Sequence, residues 1–328
     1  MIIDRDYRFD VAHVVCMTYI VAFVHLWAYI HPEVISANFV HPIFRTFCDS
    51  SLGLFTFTSG YLIGIKYSFG FGGNTKVWLF YKKRIIRIIP LFLLASIALY
   101  LIGFNGARAT FNGILCLSPF IKPRPMTMWY IPVILFCYLI TPIVSRKNML
   151  WRVIAGGAIF LIISILRINF TNIDWRFQFN LMFYLIGLNS APYFNWKFEK
   201  KIWLKVGFII IFICYLFLTN SATLQATNRQ YPASAGVFVL LFVCEFLANC
   251  IFGDEHKSVV ANLFKNISFA SMACYMFHRL FFWMGEIVWN PTNIYIKWLY
   301  MAGIVFPIML ILSYYIQKEY NRITVKIK

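Results

Sequence analysis

Ten runs of mostly apolar residues, each close to twenty long, set what this chain can fold into. They are 11–30, 47–66, 88–104, 128–145, 151–168, 178–194, 203–219, 235–252, 268–287 and 298–316. A helix of roughly 20 apolar residues crosses the hydrocarbon core of a bilayer, so each run reads as one membrane span. The sixth is the weakest, being short and interrupted by Asn189, Ser190 and Pro192. No interval between runs has room for a soluble domain. The expected fold is all-α and polytopic, with about ten transmembrane helices in one membrane domain over residues 1–328. Composition agrees: 61% of residues are hydrophobic and 13% charged. A water-soluble domain runs near half apolar and a quarter charged, and disorder requires low hydrophobicity.

The charge balance is unusual for so apolar a chain. Thirty Lys and Arg face twelve Asp and Glu, for a net charge of +18. In a soluble protein this would suggest nucleic acid; in a membrane protein it suggests orientation, because basic residues stay on the cytoplasmic side. With the N-terminus inside, twenty-one of the thirty cations fall on the cytoplasmic side and nine outside. The split predicts cytoplasmic termini, an even number of spans, contact with membrane lipid and no nucleic-acid partner. The longest outer segment, 105–127, carries Arg108, Lys122 and Arg124. The eight cysteines are scattered with no CxxC pair, and no metal-ligand spacing occurs, so no metal is expected. Gly70, Gly72 and Gly73 form no phosphate-loop pattern and read as a linker.

Polar groups inside spans are costly and therefore informative. Span one holds His13 and His25. A neutral imidazole can act as a base, or it can serve only as an interhelical hydrogen-bond partner. Span two holds Ser59 between Thr58 and Gly60, with Gly64 four residues on, a spacing that suits close helix packing. At the start of span three, Lys82, Lys83, Arg84 and Arg87 crowd one helix end, and the two arginines share a face. Such a cluster fits a phosphorylated ligand or an anchor on lipid headgroups. Trp129 at the outer start of span four is either an interfacial belt residue or a platform for a sugar ring. Span nine carries Ser268, Ser271, Tyr275, His278, Arg279 and Glu286. Glu286, like Glu245 in span eight, is a candidate ion-pair partner for Arg279.

In order along the chain, these segments resemble the family-three membrane acyltransferases, bacterial integral-membrane enzymes that O-acylate surface polysaccharides. The resemblance rests on His25 following Phe9-Asp10-Val11, then "FTFTSGYLIG", "YKKRIIRIIP", "MWYIPVILFCYLITPIV" and "ISFASMACYMFHRLFF". It covers most of the first 145 residues and about 268–283. It implies an O-acetyltransferase of the bacterial cytoplasmic membrane. The donor would be acetyl-CoA reached from the cytoplasm, its phosphates held by Arg84, Arg87 and Lys83. His25 would be the general base on a sugar hydroxyl of O-antigen, capsule or exopolysaccharide. His13, Ser59, Trp129, Tyr275, His278 and Arg279 would serve as accessory or substrate-side groups.

One departure from the family stands out. Members usually carry an Arg eleven residues before the span-one His, where this chain has Val14 beside His13. On an α-helix, at about 100° per residue, eleven steps return to within about 20° of the same face, and twelve land about 120° away. His13 is therefore a substitute only if the helix bends or bulges. Two other readings stay open: a glycan transporter or flippase without acyl chemistry, and transfer of succinyl or another acyl group to a small-molecule or lipid acceptor.

Overall fold

The computed structural model describes residues 6–30, 42–68, 70–145, 148–170, 172–193, 202–218, 230–252 and 259–326. Among these residues there are helices and connections and no strands. We number the helices α1 (Tyr7–Thr18), α2 (Trp27–Ile30), α3 (Pro42–Lys66), α4 (Asn74–Leu101), α5 (Ala107–Ile114), α6 (Tyr130–Val144), α7 (Met149–Asn169), α8 (Trp175–Ser190), α9 (Ile202–Leu218), α10 (Gln230–Phe252), α11 (Val259–Val288), α12 (Ile294–Tyr300) and α13 (Phe306–Lys326). Two π-helical stretches interrupt them, Tyr19–His25 after α1 and Met301–Val305 before α13. Short polar side chains start several helices by accepting from free backbone N–H groups. Asp6 does so for α1, Asn148 for α7, Asp174 for α8 and Asn293 for α12.

Among the described residues, five helical stretches are long and apolar enough to cross a membrane: Tyr7–His25, Asn74–Leu101, Met149–Asn169, Gln230–Phe252 and Ile294–Thr324. Counting apolar windows predicts ten. The other windows fall on two kinds of helix. At 15, 16 and 17 residues, α6, α8 and α9 are short. The other two, α3 and α11, are long but carry internal polar groups that the protein itself buries, among them Asp49, Ser50, Thr56, Thr58, Ser268 and His278. Several cations behind the 21-to-9 split (Arg5, Arg146, Lys147, Lys197, Lys200, Lys201, Arg229, Lys257 and Lys328) lie outside the described residues.

The chain divides into two compact units, Met1–Phe55 with Lys197–Lys328, and Thr56–Trp196. In the first, α1 packs on α10 and α11, α11 on α13, and α9 on α10. Its core joins Met17, Val21, Leu26 and Tyr29 to Cys274 and Phe282 of α11 and to Met301, Val305 and Met309. Both π-helical stretches thus contribute to one apolar cluster around the middle of α11. At Gly285 of α11, a Cβ would come within 2.9 Å of Val305.

In the second unit, α6 contacts α4, α7 and α8. A Cβ on Gly60 or Gly64 would stand 2.3 Å from the Tyr184 carbonyl oxygen or 2.5 Å from that of Leu188. Gly187 answers from α8, where a Cβ would lie 2.3 Å from the Phe57 carbonyl oxygen. The glycine spacing in span two is therefore helix packing. Arg152, fully buried, donates through Nη2 to the carbonyls of Tyr67 and Ser68 at 3.0 and 2.7 Å. A helix C-terminus leaves carbonyls without intrahelical partners, and Arg152 caps those that follow α3.

Candidate functional site

The first unit brings together two histidines that are 253 residues apart. His25 Nδ1 lies 2.7 Å from His278 Nε2. The ring centroids are 4.7 Å apart and the planes are inclined by 5°. Because the nitrogens are far closer than the centroids, the rings meet edge to edge, where an N–H in one ring plane points at the lone pair of the other. His278 Nδ1 lies 2.7 Å from the Tyr275 carbonyl oxygen. A carbonyl oxygen only accepts, so in a neutral His278 this contact assigns the proton to Nδ1 and leaves Nε2 bare. His25 must then donate from Nδ1, and its own Nε2 carries the lone pair. His278 is fully buried and His25 half-buried. This is the geometry of a base oriented by a second group. Tyr275 takes part through its backbone, and its buried ring packs 6.0 Å from the His278 ring. Arg279 places its guanidinium 5.3 Å from the Tyr29 ring centroid, and its carbonyl accepts from the Tyr29 hydroxyl at 3.2 Å.

His13 lies on the same side of the first helix. Its ring stacks on Phe55 at 5.4 Å, and its Nδ1 is 3.4 Å from Ser268 Oγ, which donates to Asp10 at 2.8 Å. His13 and His25 therefore both face α11, which a uniform α-helix would not allow. The π-helical stretch lies between them, and the Leu26 amide reaches back five residues to the Val21 carbonyl at 2.9 Å. A turn closed by i→i+5 bonds takes up one more residue than an α-turn. One extra residue makes a twelve-residue step behave like eleven, within about 20° of one face. Arg8, buried at the start of α1, is held by Asp6 through contacts of 2.6–3.2 Å.

The second unit holds the basic cluster. Arg84 is half-buried, its guanidinium 4.9 Å from the Tyr138 ring centroid and 5.5 Å from that of Phe80. Cation–π contacts of this kind fix a guanidinium without neutralising it. Tyr81 donates to the Leu139 carbonyl at 2.7 Å and ties α4 to α6 beside it. One turn further, Arg87 is exposed, as is Lys83. The cluster thus has one cation seated on aromatic rings and two open to solvent or ligand. Ser59 stays half-buried on α3 next to Gly60. Trp129 is buried beneath Arg176, whose guanidinium lies 4.1 Å above its ring.

The two carboxylates suggested for Arg279 each have a lysine partner. Glu245 pairs with Lys205 of α9 at 3.3 Å, and Glu286 with Lys297 of α12 at 2.8 Å. Each carboxylate is matched by a nearby lysine, whereas the sequence argument sought its partner on the same or the following span. Sequence reasoning also missed Tyr138 as the seat of Arg84, Arg152 as a helix cap and Arg176 as the cover of Trp129. For Arg152 the sequence carries no signal, since the carbonyls it bonds belong to residues more than eighty positions earlier.

Residues 6–318 match the family described as Acyltransferase domain, acyltransferase family 3, and the chain belongs to that family. It is, in general terms, a membrane acyltransferase. Among curated proteins and solved structures, none matches the chain.

Proposed function

We propose that this protein is a ten-span O-acetyltransferase of the bacterial cytoplasmic membrane, both termini cytoplasmic. It moves an acetyl group from acetyl-CoA to a sugar hydroxyl of a surface polysaccharide. The observation that carries the reading is the chain from His25 Nδ1 through His278 Nε2 and Nδ1 to the Tyr275 carbonyl. It holds the His25 lone pair on Nε2, where a neutral imidazole can take a proton.

An alcohol is a poor nucleophile until a base within hydrogen-bond reach accepts its proton. His25 Nε2 takes the hydroxyl proton as the oxygen attacks the thioester carbonyl. A C–O bond forms and the C–S bond breaks. The proton on His25 then passes to the departing sulfur. While His25 is an imidazolium, its Nδ1–H donates to the neutral His278. Arg87, Lys83 and the ring-seated Arg84 supply the positive charge that the donor's phosphates require, phosphate being a ligand that guanidinium groups bind through paired N–H bonds. Glu245 and Glu286, two carboxylates that a proton-coupled transport path would draw on, are paired with Lys205 and Lys297 instead.

The test is the ester-linked acetate on polysaccharide from cells expressing wild type or His25→Ala. We expect acetate on the wild-type polymer alone. Full acetylation in the variant would remove His25 from the mechanism.

A further inference from the structure

The second unit has an open, shallow cavity at its surface that none of the chemistry above uses. It has a volume of about 600 Å³ and is lined by Lys122, Arg124, Met126, Trp129 and Arg176, with Pro123 and Pro125. That lies within the ~300–1,000 Å³ of small-molecule sites. Its walls come from the segment between α5 and α6 and from the first turn of α8. They are held rigidly. Arg124 donates from Nε to the Ser118 carbonyl at 2.9 Å and from Nη2 to the Asn172 carbonyl. Asn112 Nδ2 donates to the Pro123 carbonyl at 2.9 Å, and the Met126 amide donates to Asn105 at 3.0 Å.

The charges do not balance. Asp174 accepts from Arg176 Nε and Nη2, the latter at 2.7 Å, and stands 3.7 Å from Arg124 Nε. One carboxylate thus serves two guanidinium groups, and exposed Lys122 adds a third cation. The cavity keeps a net positive charge beside the exposed apolar side chain of Met126 and over the Arg176–Trp129 stack. The surplus positive charge, with the Lys122 ammonium exposed beside it, suits a carboxylate, and the apolar surface suits the C–H face of a ring. Met126 is hydrogen-bonded to Asn105, just past the C-terminal end of α4, whereas Arg84 and Arg87 sit near the middle of that helix. The basic cluster and this cavity are therefore separated by about half of one long helix, roughly 20 Å at 1.5 Å per residue.

We infer that this cavity binds the acidic sugar of the acceptor glycan by its carboxylate, away from the hydroxyl being acylated. This rests on the acyl-transfer reading for the identity of the acceptor, but not for the binding itself. A lipid phosphate headgroup is the other source of an oxyanion here. The test uses the full chain in phosphatidylcholine nanodiscs, with trigalacturonate as probe, maltotriose as its neutral counterpart, and titration calorimetry. We expect trigalacturonate to bind at least tenfold more tightly than maltotriose, and Lys122→Glu, a substitution at an exposed position, to weaken it at least tenfold. Arg176→Gln should weaken it as well. The double variant Arg84→Ala/Arg87→Ala should bind the probe unchanged, even though donor binding is lost. Equal binding of the two trisaccharides, no binding of trigalacturonate, or indifference to Lys122→Glu would each overturn the inference. So would loss of trigalacturonate binding when phosphatidylglycerol replaces phosphatidylcholine, since the cavity would then be a headgroup site. If the probe binds as expected but no acetyl transfer is found in cells, the acyl-transfer reading fails alone.

Discussion

Replacing His278 by Ala tests the histidine pair directly. The substitution removes the acceptor of the His25 Nδ1 proton at 2.7 Å and the side-chain donor to the Tyr275 carbonyl. In the ground state His25 loses one neutral hydrogen bond. In the transition state His25 carries positive charge, and a hydrogen bond to a charged group contributes about 1.5–3 kcal/mol. The neutral bond lost in the ground state offsets about 0.5–1.5 kcal/mol of this, leaving a difference of about 1–1.5 kcal/mol; at about 1.4 kcal/mol per tenfold in rate, the loss in kcat should be roughly 5- to 12-fold, with KM for the donor unchanged. His25→Ala should lose more, roughly 10²- to 10⁴-fold, because the base itself is gone. His278→Gln should recover much of the deficit, since its amide can donate to the Tyr275 carbonyl while its oxygen accepts from His25.

The assay is the initial rate of labelled acetyl transfer from acetyl-CoA to host polysaccharide in proteoliposomes. Released CoA should be read by mass, because exposed Cys214 and Cys250 would react with a thiol reagent. Thermal unfolding in detergent reports any packing loss at this fully buried site. If His278→Ala keeps kcat within twofold of wild type while His25→Ala abolishes transfer, the pair does not set the tautomer of His25. A Gln variant as slow as Ala, but equally stable, would count against it too.

Other outcomes follow from particular contacts. His13→Arg should fold and retain transfer, because position 13 faces α11, whereas Val14→Arg puts a charge at a buried site and should abolish accumulation of folded protein in membranes. Gly60→Ala should destabilise the second unit by about 1–3 kcal/mol, the usual cost of overpacking, given 2.3 Å between its Cβ and the Tyr184 carbonyl oxygen. Gly157→Ala, where a Cβ meets nothing within 4 Å, should be neutral or stabilising in the same detergent melt. Burial presses the Asp174 carboxyl upward, but the bonds and charge of Arg176, with Arg124 behind them, outweigh it and hold its pKa below the ordinary 3.8. A depressed carboxyl contributes stability above its unfolded pKa and loses it as pH falls through the folded value. Acid should therefore loosen the start of α8 only below about pH 4, and Asp174→Asn should remove that dependence in hydrogen exchange of the α8 amides.

Much of the fold is legible along the chain because membrane spans are local. Apolar length alone marks α4, α7 and α10, and the glycines of α3 announce a close helix neighbour. What the runs conceal is which helices the protein buries in itself. Both α3 and α11 read as spans in a window count, yet their polar side chains are satisfied by other helices, as in Ser50 donating to the Ala233 carbonyl at 3.0 Å and Thr56 to Asn180 at 3.2 Å. Ion pairs are concealed in the same way. The pairing of Glu245 with Lys205 joins α10 to α9, and nothing in either run of sequence points at the other.

The first helix shows the limit most clearly, because the sequence argument there is quantitative and fails on one premise. Counting at about 100° per residue sets His13 about 120° away from His25, on the assumption that every residue between them is α-helical. The seven residues Tyr19–His25 are π-helical instead. A π turn leaves the side chains on its two sides in the register of a helix one residue shorter, so position 13 occupies the face that position 14 would hold in an uninterrupted helix. The same irregularity lies where His25 meets His278, beside the core in which a second π stretch, Met301–Val305, packs on α11. Single π turns are rare and concentrate at functional sites. Here the turn has a definable effect: it lets one helix present both histidines to α11, which no spacing read from α-helical periodicity could reveal.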